Sequence, residues 1–466
     1  MSEHLPAFRL GDIRGIYPED IDFDFVVAFA HAFVEQFQIK GSVAVGRDMR
    51  GSSVILQDGL QQGLVASGVH VVNLGLCTTE LGYFASSMPE ISAAIIVTAS
   101  HNPSNYNGLK CVLSGGAGVH FENGLDRVMK LMINGHLNRP SQKGTVSSRD
   151  YHATYIEFLR GRFRIDKSSL GTIALNGLNG TASTLAADIA YEVDLSTRWY
   201  RKEPGPIPPE GADPANPKLR QQMSHFMQSE RFSLGVAWDG DCDRCVFFDG
   251  SGRYIPSYYM VGLLADHVLQ ETGPAPVVYD TKLCWNILDV IRKHDGATPV
   301  PSRTGHSFMK ENMKRSSAVY GGELSSHHYF GDFFSCDSGM YAWLKVVEMI
   351  CHADESLEEM VVKRRQVFSC CGEMTLKLTD VDLALVELRK RYSKTAQLIE
   401  VDDGLAFDMG DWRFSIRESK TEPCVRLNLE SRGSGSILLE QGETVLSALE
   451  PFRDEERSWL EDLRIE

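Results

Sequence analysis

Asp239, Asp241 and Asp243 alternate along Asp239-Gly240-Asp241-Cys242-Asp243-Arg244, and carboxylates at that spacing suit a hard cation such as Mg2+. Read as an EF-hand, the run is out of register: Arg244 stands sixth where glycine is needed, and Gly250 stands twelfth where glutamate is needed. The overlapping Cys242-x-x-Cys245 has no second ligand pair nearby, so zinc and redox readings are set aside. Earlier, Thr98-Ala99-Ser100-His101-Asn102-Pro103 puts a hydroxyl and an imidazole in one small polar turn. It lacks the Gly-x-Ser-x-Gly elbow of a serine hydrolase. Asn107-Gly108-Leu109-Lys110 follows, where Lys110 suits a phosphate contact or, with a lowered pKa, proton transfer.

Three later loops add binding chemistry. Gly322-Glu323-Leu324-Ser325-Ser326-His327-His328 combines carboxylate, hydroxyl and imidazole, a set able to hydrogen-bond the vicinal hydroxyls of a sugar. Arg417-Glu418-Ser419-Lys420-Thr421-Glu422-Pro423 offers guanidinium, ammonium and hydroxyls for a monophosphate. Thr304-Gly305-His306-Ser307-Phe308-Met309-Lys310 is a further basic loop. Each run also reads, by itself, as an ordinary polar turn or surface loop.

The elements around these loops set their positions. Residues 93–97 form an apolar, β-branched run ending at Ser100, at the carboxyl end of a strand that reads as parallel, where open α/β sheets place their chemistry. Strands at 42–45 and 69–74 alternate with helices at 24–37, 52–67 and 80–87, which implies a mostly parallel sheet with helices on its faces. The pattern returns with a strand at 172–175, a glycine-rich turn, a helix at 181–191 and a strand at 233–238 that runs into the aspartates. Six of the 18 prolines fall between Pro204 and Pro217, so that stretch reads as an extended loop. A third unit has helices at 259–270 and 285–293 around a strand at 277–279. Residues 407–417 and 425–430 then alternate as strands of a half-exposed antiparallel sheet do. The expected architecture is α/β, with domains at 1–148, 149–250 and 251–368 and a C-terminal α+β domain at 369–466.

The totals narrow the partners. With 47 basic against 62 acidic residues the net charge is −15, which argues against nucleic acid or an anionic membrane as partner. No apolar run approaches the ~20 residues of a membrane span, and Met1 to Leu10 carries no signal-peptide pattern. Ten cysteines in 466 residues are not a disulfide density. A soluble, cytoplasmic, reduced protein is expected.

Taken in order, Asp12-Ile13-Arg14-Gly15, the Ser100 turn, the aspartate row, Gly322-Glu323-Leu324-Ser325 and Arg417-x-Ser419-x-Thr421-Glu422-Pro423 closely resemble the α-D-phosphohexomutase family over nearly the whole chain. The resemblance implies four domains around a central cleft, three with mixed α/β sheets and the last α+β. It implies a phosphoryl group carried on Ser100, and Mg2+ held by Asp239, Asp241, Asp243 and that phosphoserine. Arg14, His101, Lys110 and Arg244 would surround the reacting phosphate, with Lys110 transferring protons. Glu323 and Ser325 would read the sugar hydroxyls, and Arg417, Ser419 and Thr421 would hold the non-reacting phosphate. Arg244, His306, Lys310, His327, Lys420 and Arg426 would also bind substrate. The substrate would be a sugar phosphate, isomerised through a hexose 1,6-bisphosphate. Leu324 and Asp411-Trp412-Arg413-Phe414 resemble bacterial phosphomannomutases most, with phosphoglucomutase or a dual-specificity enzyme as alternative and a non-catalytic phosphosugar-binding relative as another. Leu10-Gly11 before Asp12, where the family has an aromatic residue, and Lys420 are departures.

Overall fold

The computed structural model describes residues 5–135, 141–166, 170–400, 404–418, 424–433, 435–456 and 458–466. They form two compact units, one of residues 1–254, 305–320 and 326–354, the other of 255–304, 321–325 and 355–466.

In the first unit, strand β1 (Ile13–Ile16) precedes helix α1 (Phe23–Phe37), strand β2 (Ser42–Arg47), helix α2 (Gly51–Ala66), strand β3 (Val71–Leu76), helix α3 (Thr79–Ser86) and strands β4 (Ile91–Val97) and β5 (Tyr106–Leu113). Apolar residues three and four apart turn one stripe of each helix inward. Val26, Phe29, Ala30 and Phe33 of α1 share a core with Leu56, Leu60 and Leu64 of α2. The sheet order is β1-β5-β4-β2-β3. β4 runs parallel to β2 but antiparallel to β5, so Ser100 tops a mixed sheet rather than a purely parallel one. The chain turns back at Ser100, and Val97 pairs with Leu109. β1 then lies antiparallel to β5, with Arg14 opposite Gly108. Glycine is required there, since a Cβ on Gly108 would sit 2.1 Å from the Ile13 carbonyl oxygen.

A second sheet places Ile173–Asn176 parallel to both Thr197–Tyr200 and Leu234–Trp238, and Cys245–Phe248 returns antiparallel. The aspartate row is the tight turn between these last two strands. Pro217, expected at the end of a loop, instead opens helix Pro217–Met227 with Asn216 as its cap, because proline costs nothing at the first helical position.

In the second unit Pro276–Asp280 pairs in parallel with Thr298–Ser302. The terminal sheet is antiparallel, in the order Phe368–Cys370, Cys424–Arg432, Trp412–Glu418, Leu405–Asp408, Leu398–Glu400. Two expectations are corrected. Residues 407–417 are not one strand, because Gly410 (φ +93°) turns the chain between two. Nor is the sheet half exposed: Arg413, Ser415, Asn428 and Glu430 alternate with apolar neighbours yet are buried. Arg413 donates to the carbonyls of Thr281 and Lys282 at 2.7 and 2.8 Å. Glu430 accepts from the backbone N–H groups of Cys284 and Trp285, both at 2.9 Å, and from the Tyr258 hydroxyl at 2.8 Å. The alternation marks a polar face satisfied by protein rather than by water.

Candidate active site

Ser100 adopts the left-handed backbone region, at φ +51°, which costs a non-glycine residue free energy and persists only where its surroundings enforce it. Arg50 does the enforcing. Its buried guanidinium donates from Nη2 to the carbonyls of Ser100 (2.9 Å) and Asn102 (2.7 Å), and from Nη1 to those of Pro103 (2.6 Å) and Tyr106 (3.0 Å). Nε donates to Asp48 at 3.1 Å, and Asp48 accepts in turn from Ser53 Oγ at 2.5 Å. One side chain thus donates to four carbonyls of the same loop and ties its backbone together.

The Ser100 hydroxyl donates to Asp239 Oδ2 at 2.6 Å and lies 3.2 Å from His101 Nδ1. Burial, with Arg244, Arg14 and Lys110 close by, pushes His101 well below the usual histidine range, so its ring is neutral. Asp239, Asp241 and Asp243 are all fully buried and present ligand oxygens within 4.8 Å of one another. Among the described residues Asp241 Oδ1 is buried without a hydrogen-bond partner, and Asp243 Oδ1 has only His327 Nε2, at 3.5 Å. An all-oxygen donor set with an orphaned carboxylate oxygen fits a hard divalent cation. Burial and its two sister carboxylates raise the Asp239 pKa well above normal. At Asp243 burial is outweighed by Lys110, His327 and Arg244, and the pKa falls well below normal. Thr79 and Thr98 hydroxyls donate to Asp241 Oδ2 at 2.8 and 3.1 Å.

Lys110 is where expectation and structure part. Its ammonium lies 2.7 Å from Asp241 Oδ2 and also pairs with Asp243. Burial alone would lower its pKa, but the three carboxylates outweigh it and the pKa is raised. In this arrangement the carboxylates favour the ammonium form of Lys110, the opposite direction from the lowered pKa expected of it. Cys242 and Cys245 are buried, and burial pushes both thiols well above their usual range, so the pair is inert by chemistry as well as by sequence.

Arg14 donates to Asn102 Oδ1 at 2.7 Å and pairs with Asp12. Arg244 Nε lies 3.9 Å from Asp239 Oδ2, and the backbone of Arg244 pairs antiparallel with that of His327. His327 Nε2 is 3.5 Å from Asp243 Oδ1. Lys310 is buried, paired with Asp337 at 2.7 Å and seated over the Tyr83 ring. His306 Nδ1 stands 3.3 Å from Lys310 Nζ, and Ser307 Oγ donates to the Gly11 carbonyl at 2.9 Å. The structure therefore brings Arg14, Ser100, His101, Lys110, the three aspartates, Arg244, His306, Lys310 and His327 into one unit.

Glu80 went unnoticed in the sequence, though it holds this unit together. It accepts from Tyr155 OH (2.9 Å), Ser338 Oγ (2.6 Å) and the Met340 N–H (3.1 Å). Burial raises its pKa to about 7 against three lowering hydrogen bonds. Between pH 4.5 and about 7 the folded protein keeps a proton that the unfolded chain has released, so stability falls as pH rises through that window. Thermal denaturation should show this slope, on the order of 3 kcal/mol in all, and Glu80→Gln should flatten it.

The second unit carries the remaining residues. Glu323 is buried, and the Leu324 N–H reaches Asp280 Oδ2 at 3.4 Å. Lys282 Nζ pairs with Asp280 at 3.0 Å. Arg417 and Arg426 both pair with Glu373, at 3.3 and 2.9 Å. Arg417 is the next-to-last residue of one strand, Trp412–Glu418, and Arg426 sits near the start of the next, Cys424–Arg432. Ser419, Lys420 and Thr421 lie outside the described residues. Ser325, half-buried, is in the same loop as Glu323. Sequence reasoning missed Arg50, Asp48, Thr79, Glu80, Lys282 and Glu373.

Comparison with known proteins agrees with this geometry. Family descriptions of phosphoglucomutase/phosphomannomutase α/β/α domains I, II and III match residues 6–132, 153–252 and 256–368 in order. A protein of Xanthomonas campestris described as phosphohexose mutases is 35% identical, over 96% of this chain and 99% of its own. A phosphomannomutase of Escherichia coli K12 is also 35% identical over the same shares. A phosphoglucomutase/phosphomannomutase family structure from Burkholderia thailandensis superposes with a TM-score of 0.86 at 26% identity, covering 97% of this chain and 99% of that one. The ordered loops, the buried carboxylate row beneath Ser100 and these matches agree: the chain belongs to the phosphoglucomutase/phosphomannomutase family of α-D-phosphohexomutases.

Proposed function

We propose that the protein interconverts mannose 6-phosphate and mannose 1-phosphate, carrying the transferred phosphoryl group on Ser100 and passing through a hexose 1,6-bisphosphate. The observation that carries this reading is the Ser100 hydroxyl held 2.6 Å from Asp239, at the edge of a buried three-carboxylate cation site. Asp239, Asp241 and Asp243 would hold Mg2+, which when bound polarises the phosphoryl oxygens. Phosphoryl transfer leaves little covalent work to a protein, so positioning and charge neutralisation are what these residues supply. Arg50 fixes the serine, and Arg14, Lys110 and Arg244 place positive charge around it. Neutral His101, with Nδ1 3.2 Å from Ser100 Oγ, hydrogen-bonds and orients that hydroxyl. Glu323, Ser325, His306 and His327 are assigned to the sugar. Arg417 and Arg426, with Ser419, Lys420 and Thr421, are assigned to the non-reacting phosphate. Lys310, with its ammonium committed to Asp337, is assigned to hold His306.

Four domains at 1–148, 149–250, 251–368 and 369–466 are part of the proposal, each contributing one loop. So is a cytoplasmic setting, supported by ten free cysteines. Among the described residues no helix is long and apolar enough to cross a membrane. A coupled assay with mannose 1-phosphate and glucose 1-phosphate, Mg2+ and trace bisphosphate tests the proposal. Turnover of the mannose ester is expected, and sugar-phosphate binding without turnover of either would overturn it. Arg417→Ala should lower kcat/KM by about 2–4 kcal/mol, mostly through KM. Steady-state kinetics with an unchanged kcat/KM would remove that loop from the site.

A further inference from the structure

Arg417 and Arg426 stand directly opposite one another on antiparallel strands, an arrangement that repels unless an anion relieves it. Glu373 is that anion. Its Oε2 lies 3.3 Å from Arg417 Nη2 and its Oε1 2.9 Å from Arg426 Nη1, while Lys282 Nζ stands 4.0 Å away. The three cations hold the Glu373 pKa down at about 2 although burial opposes them. Lys282 is already matched by Asp280, so two guanidiniums face one carboxylate and one positive charge is left over. The group remains open to water, with side-chain exposures of 30% for Glu373 and 44% for Arg426. Among the described residues Arg417 Nε has no hydrogen-bond partner.

We propose that Glu373 is a built-in competitor for the guanidiniums that hold the substrate's non-reacting phosphate. The proposal rests on the reading that Arg417 and Arg426 bind that phosphate. An arriving phosphate takes donors away from Glu373 and meets its negative charge, so binding is weaker and release faster than the guanidiniums alone would give. A mutase that passes through a bisphosphate needs such a release, because the intermediate must let go of this end to present the other. Glu373 is in these terms a positioning residue that sets how long the far phosphate stays bound.

The test is calorimetric titration with mannose 6-phosphate, alongside steady-state kinetics, for the wild type, Glu373→Gln, Glu373→Asp and Arg417→Ala. Glu373→Gln keeps an oxygen acceptor but loses the charge. It should lower Kd and KM by about fivefold and lower kcat by a similar factor. Glu373→Asp keeps the charge and should stay within about twofold of wild type. Arg417→Ala should raise Kd by more than about tenfold. If Arg417→Ala weakens binding while Glu373→Gln leaves Kd unchanged or raises it, Glu373 only braces the strands and the proposal falls alone. If Arg417→Ala leaves Kd unchanged, the phosphate-loop reading falls with it.

Discussion

Ser100→Ala should abolish mutase turnover, by at least about 10^4-fold, while sugar-phosphate binding survives. The loss is chemical, because the acceptor oxygen for the phosphoryl group, the hydroxyl held at Asp239 Oδ2, disappears. Folding should change little. The variant loses one hydrogen bond to a carboxylate, worth about 1.5–3 kcal/mol at most, and alanine fits the left-handed backbone about as well as serine. The check is a coupled assay beside a binding titration. Residual turnover within about tenfold of wild type would move the phosphoryl carrier elsewhere.

Arg50 carries the second large effect. Arg50→Ala removes the donors to four loop carbonyls and leaves Asp48 fully buried without its guanidinium. Breaking a buried pair in this way costs about 3–5 kcal/mol. Arg50→Lys is the more informative variant, since an ammonium keeps the charge but cannot fork between the Ser100–Asn102 and Pro103–Tyr106 carbonyls. It should fold with a lowered Tm and lose about 10^2-fold in kcat with KM nearly unchanged, because a serine displaced by about 1 Å misses the phosphoryl geometry without disturbing the far phosphate. Equal losses in kcat and 1/KM would mean that Arg50 only stabilises the domain.

Much of the site was legible because its chemistry lies in short runs of chain. The aspartates stand two apart in one turn, and the Ser100 turn ends an unmistakable apolar strand. What stayed hidden involves partners distant in sequence. Arg50 binds backbone carbonyls, which have no side-chain signature in the sequence. Lys110 reads as a candidate base until the carboxylates of Asp241 and Asp243, on another sheet, favour its ammonium form. In the terminal sheet the period of two is correct while the exposure is not, because Arg413 and Glu430 face backbone groups of residues 281–285 rather than water. Helix Pro217–Met227 carries Leu219, Met223 and Met227 at helical spacing, a stripe masked by the prolines before it.

The most direct test of the phosphoryl-carrier assignment is intact mass and peptide mapping after incubation with a hexose 1,6-bisphosphate and Mg2+. An increment of ~80 Da on the peptide containing Ser100 is expected, as phosphorylation adds, and it should discharge when hexose monophosphate is added. No increment, or one on another residue that the monophosphate does not discharge, would contradict the account.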